Sequence, residues 1–290
     1  MQESIAKNPR PAAAPAPDRR ERLSDVSETL RIPLAARALG DTLFPELAVQ
    51  DAHAGRMLLC MGDDGARWLR DRHSVYGILA RTRRFRELAS AFLARVPDGL
   101  VVNLGCGLSD YFQWLDNGRA RMIDADLPPV LALRRELLPP AMERHALREL
   151  DLADPQWWPA LGLPLDGAGA PVFLMAEGVA MYLKPEQMQA LLRLFGQHAP
   201  PGSELAFDAM CWLVAGRAKL HSSVKHTGAQ FHWGPRKQAQ LAAAHPRLRL
   251  IAAHKMMEGY GLPYSVLGPL FRALAGVPLY ALYQLGVGAD

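Results

Sequence analysis

Carboxylates recur where the sequence predicts that strands end, and they are the residues best suited to chemistry. Asp124 and Asp126 close one apolar run, Asp151 follows the next, and Glu177 ends the one after that. An acid at such a place suits the two hydroxyls of a ribose. Any one of them is more often a solvated strand end or a helix cap, but four in one crevice require a cationic or donor-rich occupant.

A glycine turn precedes these acids. The apolar run 101–104 leads into Gly105-Cys106-Gly107, where backbone without side chains lets a ligand approach closely. Taken alone, this pattern is as typical of an ordinary tight turn as of a binding site. Where a dinucleotide site needs a third glycine the chain has Asp110, whose carboxylate would repel a phosphate. The pattern therefore disfavours NAD and ATP and favours S-adenosylmethionine, which carries a ribose, an ammonium and a sulfonium but no phosphate.

Strands and helices alternate to position these residues. Segment 23–95 has apolar residues at three- and four-residue intervals, which predicts an all-helical N-terminal part. Beyond residue 98, alternating strands and helices predict βαβ units and a parallel sheet, with ligands at the carboxyl ends of the strands. The predicted strands are 100–104, 119–126, 146–150, 171–177, 204–208, 249–253 and 280–287. The predicted helices are 109–116, 130–138, one after Pro185, 212–219, 237–244 and 263–274.

Length and composition bound the class of protein. The 290 residues are 50% hydrophobic and 21% charged, as in ordinary globular chains, and the net charge of +4 argues against a nucleic-acid binder. Three distant cysteines predict neither a disulfide framework nor a zinc knuckle, and a reducing cytoplasm is expected. No apolar run reaches the ~20 residues of a membrane span, so no membrane partner is expected. The predicted division is a disordered Pro/Ala-rich tail over 1–20, a helical cap over 21–97 and a core over 98–290, with an acceptor-pocket insertion at about 210–247.

Several motifs occur in one order and carry a resemblance to a known family. They are ETLRIPL (28–34), ARTR (80–83), VVNLGCGL (101–108), DADLP (124–128), AEGVAMYL (176–183) and FDA (207–209), with looser matches at KHTGA (225–229) and WG (233–234). In these motifs the chain resembles the class I S-adenosylmethionine-dependent methyltransferases of the leucine carboxyl methyltransferase family, nearest the bacterial branch of polyketide O-methyltransferases. The resemblance implies an α/β fold: a Rossmann-like seven-stranded sheet with its last strand, 280–287, antiparallel, under an N-terminal helical cap.

The same resemblance implies S-adenosylmethionine as the cofactor and carries roles onto matching positions. It implies that Arg81 binds the methionine carboxylate and that Asp126, beside Asp124, contacts the ribose. The other matching positions are Gly105 and Gly107 beneath the methionine portion, Asp151 and Leu152 beside the adenine, and Glu177 near the methionine end.

Two segments depart from the family pattern. The family usually continues the glycine turn with Gly-Leu-Asp-Thr-Arg, and this chain has Leu-Ser-Asp-Tyr-Phe at 108–112. The usual aromatic residue before the ribose acids is Met122 or Ile123 here. These departures concern the detail of the cofactor contacts and the acceptor.

The chemistry of methyl transfer determines which further residues an acceptor pocket needs. Displacement at the sulfonium carbon depends mainly on holding the acceptor close and aligned. Such positioning can lower the activation barrier by up to ~7–11 kcal/mol. A carboxylate acceptor needs only a positive clamp, whereas a phenol gains from a base. The candidate catalytic residues are Tyr182, His221, Lys225 and His226, and further acceptor-pocket candidates are Thr29, Arg31, Arg37, Asp208 and His232. For each, a surface or hydrogen-bonded role is the commoner one, and the histidine spacing does not match a zinc site, so no metal is predicted.

Three functions stay open at this point. The first is O-methylation of a small-molecule hydroxyl or carboxylate in secondary metabolism, with that small molecule as the partner. The second is carboxyl methylation of a protein or peptide, which needs an open groove instead of a closed pocket. The third is a degenerate protein that binds cofactor or a partner without turnover, suggested by the altered segment 109–112.

Overall fold

A single seven-stranded sheet organises the protein. The computed structural model describes residues 28–140, 142–217 and 230–289, so the predicted tail over 1–20 lies outside the described residues. The strands are β1 Leu100–Leu104, β2 Arg121–Asp126, β3 His145–Glu149, β4 Val172–Ala176, β5 Glu204–Met210, β6 Leu248–Lys255 and β7 Tyr280–Val287. Their order is β3-β2-β1-β4-β5-β7-β6, and β7 runs antiparallel to both of its neighbours while the other adjacent pairs are parallel. The predicted Rossmann-like sheet with an antiparallel last strand is confirmed.

Helices cover the sheet and connect its strands. In the described ranges the α-helices are α1 Glu28–Leu39, α2 Ala54–Cys60, α3 Arg72–Arg95, α4 Phe112–Leu115, α5 Pro128–Leu137, α6 Trp157–Ala160, α7 Pro185–His198, α8 Ala239–Ala242 and α9 Tyr264–Ala275. None of the helices in these ranges has the length and apolar character needed to cross a membrane.

Three predicted helices are shorter than the sequence pattern suggested. Only Phe112–Leu115 of the predicted helix 109–116 forms, because the Ser109 hydroxyl bonds back to the Cys106 carbonyl at 2.7 Å and extends the turn. The predicted helix 212–219 starts with one 3₁₀ turn at Trp212–Val214, and its end lies outside the described residues. The predicted helix 237–244 contracts to α8.

The burial and the register of the central strands show how the sheet brings the site residues together. Every residue of β4 is buried, as in a parallel sheet with both faces covered. Register pairs Leu104 with Ala125 and Asn103 with Met175, so β1, β2 and β4 end at the same edge. The residues that follow these strands therefore share one crevice.

The long helix α3 links the helical cap to this edge. Asp71 caps its start by accepting a hydrogen bond from the Ser74 backbone N–H at 3.2 Å. In its second half, Phe85 and Phe92 are buried in the core, and the Phe92 ring lies 5.6 Å from that of Phe173 on β4. The first half of α3 then projects over the carboxyl ends of the strands. The division into a cap over 21–97 and a core over 98–290 stays a prediction.

Candidate functional site

A large cavity lies at the carboxyl ends of β1, β2, β4 and β5. Its volume is about 970 Å³, at the upper end of the ~300–1,000 Å³ typical of small-molecule sites. The strand ends and their following loops form its floor, and α1 and α3 form its roof. Such a volume offers room for two occupants placed side by side.

The glycine turn after β1 forms part of the floor. Gly105 and Gly107 have φ angles of +66° and +51°, the left-handed region that favours glycine. A Cβ on Gly105 would lie 2.5 Å from a methyl carbon of Val179, so the turn has no space for a side chain there. Burial raises the pKa of the Cys106 thiol well above its usual range, which agrees with a packed and unreactive cysteine.

Asp126 closes β2 beside this turn and lines the cavity. One carboxylate oxygen accepts the Gly107 N–H at 2.8 Å, and the other accepts the Leu127 N–H at 2.7 Å. Burial raises the pKa of Asp126, and these two hydrogen bonds offset the increase only in part. Both bonds hold the carboxylate against the glycine turn, where its remaining lone pairs can accept from hydroxyls.

Asp124 does not line the cavity, contrary to the expectation that it binds cofactor together with Asp126. Its side chain is fully buried, forms an ion pair with Arg134 and accepts a hydrogen bond from Asn103 at 3.0 Å. The Nε2 atom of His145 lies 2.7 Å from the same carboxylate. Only three of the four predicted acids therefore meet in the crevice.

Arg134 on α5 is a residue that sequence reasoning missed. Its guanidinium is buried and donates to the carbonyls of Gly107 at 2.9 Å and Ser109 at 2.6 Å while it pairs with Asp124. Arg134 thus fixes the glycine turn from below. No sequence signal distinguishes it from the exposed Arg135 beside it, because only the tertiary fold brings it to the turn.

Arg81 lies at the centre of the opposite half of the site. Its Nε donates to Glu177 at 3.0 Å, and its Nη1 donates to Asp208 and to the Tyr280 hydroxyl, each at 3.2 Å. The Tyr280 hydroxyl in turn donates to Asp208 at 2.7 Å, and the Gly178 N–H donates to the other Asp208 oxygen at 2.6 Å. Among the described residues, nothing accepts a hydrogen bond from Nη2 of Arg81, which therefore stays available to a ligand.

Glu177 is held ionised in this network. Burial alone raises the pKa of Glu177, but the charges of Arg81 and Arg37 and hydrogen bonds from Thr82 and Tyr111 outweigh it and lower the pKa. The two hydroxyls each donate at 2.7 Å. Tyr111 belongs to the segment that departs from the family pattern, so this departure contributes a buried donor to the site.

The third acid of the crevice stands at the far end of the cavity. Asp151 is exposed, lines the cavity and accepts the Ala153 N–H at 2.8 Å, and Leu152 lines the cavity next to it. Leu127 and Val130 line the cavity too, so this part of the wall combines apolar side chains with one carboxylate. Such a combination suits a heterocycle with a polar edge.

The remaining part of the cavity is mainly apolar. Its apolar wall residues are Ile32, Ile78, Met181, Met210, Leu213, Val214, Phe231, Met257 and Leu279, and the cavity is also lined by Ser74, Gln187 and Arg217. Tyr182 also lines it, and burial raises the pKa of Tyr182 above its usual value.

The other predicted pocket residues have different outcomes. Thr29 and Arg37 line the cavity, whereas Arg31 pairs with Asp63 at 3.3 Å outside it and the exposed His232 is not part of its wall. Asp208 does not line the cavity and contacts it through Arg81, Gly178 and Tyr280. The candidates His221, Lys225 and His226 lie outside the described residues.

Further polar cavity residues escaped the sequence analysis: His73, Ser74, Gln187, Arg217, Tyr264 and Tyr280. His73 stands four and eight residues before Gly77 and Arg81, so helical periodicity in α3 was the signal that could have found it. Tyr264 and Tyr280 begin α9 and β7, and no local pattern marks them as part of a site.

Fold and site together define a class I methyltransferase. The strand order with an antiparallel β7, and a cavity built over a glycine turn and strand-end acids, are features of that class. A solved protein of the DUF574 family from Streptomyces avermitilis has the same fold, with a TM-score of 0.58 at 16% identity over 92% of this chain and all of the other.

Sequence comparison gives the family. The family profile described as leucine carboxyl methyltransferase matches residues 26–196. The tetracenomycin polyketide synthesis O-methyltransferase TcmP of Streptomyces glaucescens is 32% identical over 240 residues, which cover 82% of this chain and 85% of the relative. The S-adenosylmethionine-dependent methyltransferase dpfgK of Gibberella zeae is 29% identical over 73% of this chain and 76% of the relative. The chain belongs to the leucine carboxyl methyltransferase family, and it is an S-adenosylmethionine-dependent methyltransferase.

The residues of the cavity fit that cofactor. Gly105 and Gly107 line the cavity with backbone that carries no side chain. The charged residues in the described part of the wall are three carboxylates, Asp126, Asp151 and Glu177, and three arginines, Arg37, Arg81 and Arg217. The carboxylates suit the positive charges and hydroxyls of this phosphate-free nucleoside, and an arginine suits its carboxylate. Arg81 offers donors to a carboxylate, and Asp126 offers acceptors to hydroxyls. Both ends of the molecule therefore find complementary groups.

Proposed function

We propose that this methyltransferase acts on a hydroxyl or carboxylate oxygen of a small, largely apolar molecule, as part of secondary metabolism. The observation that carries the proposal is the apolar compartment walled by Met181, Met210, Leu213, Phe231 and Met257, which is continuous with the acid-lined half of the cavity. Thioether and aromatic side chains suit a bulky carbon skeleton. The name of the Streptomyces glaucescens relative, a polyketide O-methyltransferase, supports the same class of acceptor.

The cofactor's place in the cavity is part of the proposal. Arg81 would hold the amino-acid carboxylate of S-adenosylmethionine with Nη2, and Asp126 would accept from the ribose hydroxyls. The glycine turn would lie beneath the methionine portion, and the part of the cavity at Asp151 and Leu152 would take the adenine. Glu177 would act at the methionine end, both by fixing Arg81 and by its negative charge.

The chain's own contribution to the reaction is positioning. When bound, the cofactor supplies a methyl group on a positively charged sulfur. The apolar wall holds the acceptor skeleton and keeps water out, and α1 covers the cavity with Leu30 and Ile32. Holding two reactants in line in this way is worth up to about 7–11 kcal/mol of the barrier.

A mass-spectrometric screen tests the proposed acceptor class. Purified protein and S-adenosylmethionine are incubated with aromatic phenols, enols, small carboxylic acids and peptides with free carboxyl termini, and each product is examined for an added methyl group. The proposal expects methylation of bulky apolar small molecules. Methylation of peptides alone would assign the protein to peptide carboxyl methylation instead.

A cavity-filling variant locates the acceptor. Leu213→Trp narrows the apolar compartment, so we expect the KM for the acceptor to rise at least about 10-fold. S-adenosylhomocysteine should bind as it does to the parent protein. The matched control, Leu165→Trp, changes an exposed leucine outside the cavity wall and should leave both quantities unchanged. Equal effects of the two substitutions would refute this assignment of the compartment.

A further inference from the structure

The helix α9 has apolar residues on the side that faces solvent. Its inner side packs on the 3₁₀ turn Glu258–Tyr260, where the Tyr264 ring lies 5.8 Å from that of Tyr260 and Arg272 pairs with Glu258. No residue of α9 is fully buried. A surface helix normally presents polar residues to solvent, and a helix that is apolar all round is normally covered. The outer side of α9 departs from that rule.

Four large side chains form this outer side, which we call the α9 patch. They are Val266, Leu267, Leu270 and Leu274, each 53–82% exposed. Their spacing of three and four residues places them on one face of the helix. Together they expose roughly 400 Å² of apolar surface, within the ~300–600 Å² of the largest patch on a typical monomer, which is often functional. Such a contiguous patch marks a surface that a partner covers.

The charges of α9 favour a second copy of this chain as that partner. In a two-fold interface each surface meets its own copy, so an unpaired charge would face a like charge. Arg272 is the one charged residue in the sequence of α9, and it already pairs with Glu258. Self-association therefore brings no unpaired charge of α9 against its copy. An anionic membrane or an acidic protein would instead be attracted by free Lys or Arg side chains, which α9 does not offer.

The shape and the area of the patch also suit a dimer. Val266, Leu270 and Leu274 form a row with four-residue spacing, and such a row packs into the groove between the rows of a second helix. A standard interface buries ~800 Å² on each partner, and the α9 patch would supply about half of that area as its apolar centre. Leu262, two residues before the helix, is also exposed and lies close enough in the chain to contribute to the rest.

We propose that two copies of this chain associate through the α9 patch in a symmetric dimer, with the apolar row of one helix packed against that of the other. Tyr264, the first residue of α9, lines the cavity, and so does Leu279 between α9 and β7. The interface therefore lies beside the cavity. It does not depend on which acceptor the protein methylates.

Analytical ultracentrifugation of the full chain tests this interface. Interfaces of standard size have dissociation constants of ~μM or lower, so at about 10 μM the parent protein should sediment with twice the monomer mass of 31.9 kDa. Leu270→Glu places a carboxylate at the centre of the patch in both copies and should weaken the dimer at least about 100-fold. The matched control, Leu59→Glu, makes the same change at an exposed leucine of α2 and should leave the dimer as it is in the parent protein.

A mixture of two charged variants separates loss of the contact from misfolding. Leu270→Glu and Leu270→Lys should each be monomeric alone, with the circular dichroism of the parent protein. Their equimolar mixture should form dimers, because opposite charges then face each other across the interface. A mixture that stays monomeric would overturn the proposal.

Three further results would also overturn it. The first is a parent protein that is monomeric up to about 100 μM, and the second is a dimer that Leu270→Glu leaves intact. The third is a monomeric parent protein that cosediments with phosphatidylcholine vesicles while Leu270→Glu does not, which would assign the patch to a membrane surface. None of these results bears on the proposed methylation of a small molecule, which the acceptor screen tests separately.

Discussion

Arg81 allows a sharp test because its donors are divided between the protein and a proposed ligand. Nε and Nη1 are used by Glu177, Asp208 and Tyr280, and Nη2 remains for the cofactor carboxylate. Arg81→Lys keeps the positive charge that Glu177 and Asp208 require, but a single ammonium cannot replace the planar fork. We therefore expect one charged hydrogen bond to the ligand to be lost, which is worth about 1.5–3 kcal/mol.

This loss corresponds to about a 10- to 150-fold weaker Kd for S-adenosylhomocysteine. Calorimetric titration should measure it beside methylthioadenosine, a nucleoside that lacks the amino-acid carboxylate and so has no group for Arg81. Its Kd should change less than about 3-fold in the variant. The control Arg84→Lys, on the same helix but paired with Glu87 at the surface, should change neither value. An equal weakening of both ligands by Arg81→Lys would refute the assigned contact.

Three further substitutions test the architecture around the cavity. Gly105→Ala forces a side chain into a left-handed, closed position and should lower the free energy of unfolding by about 2–4 kcal/mol in denaturant titrations, against about 1–2 for Gly118→Ala, where space is open. Arg134→Met leaves a buried carboxylate without its partner and should cost about 3–5 kcal/mol in the same titrations, whereas the exposed Arg135→Met should change stability by less than about 0.5. Glu177→Gln should lower the free energy of unfolding at neutral pH. Because the pKa of Glu177 is lowered in the folded state, the parent protein keeps the stability contributed by the ionised carboxylate until the pH falls below about 4.3, the ordinary pKa of a glutamate. The difference in stability between parent and variant should therefore shrink below that pH. A deficit for Glu177→Gln that stays constant down to pH ~2, or equal costs within either of the other pairs, would contradict this account.

Strand bounds were predictable from the sequence where an apolar run is bounded by glycine or proline. The bounds of β1 and β7 match the predicted 100–104 and 280–287, because both are apolar runs bounded by glycine or proline within a few residues. The prediction of a helix over 109–116 was wrong in its first residues. The polar residues there resemble a helix start, but Ser109 and the distant Arg134 stabilise a turn instead.

The location of a site residue was predictable where its position on a strand determines it. Asp126 is the last residue of β2 and reaches the cavity, as predicted. Asp124 shares its strand face by alternation but lies one pleat earlier, where Arg134 and His145 enclose it. The sequence does not reveal this difference, since the enclosing residues come from α5 and β3. The same holds for Tyr280, which register with β5 brings to Asp208.

The central claim is that the acid-lined cavity over the glycine turn binds S-adenosylmethionine, and a crystal structure of the protein with S-adenosylhomocysteine tests it most directly. The account predicts the ribose hydroxyls on the Asp126 carboxylate, the amino-acid carboxylate on Arg81 and the adenine beside Leu152. A structure with the ligand bound outside this cavity, or within it but away from both Asp126 and Arg81, would contradict the account.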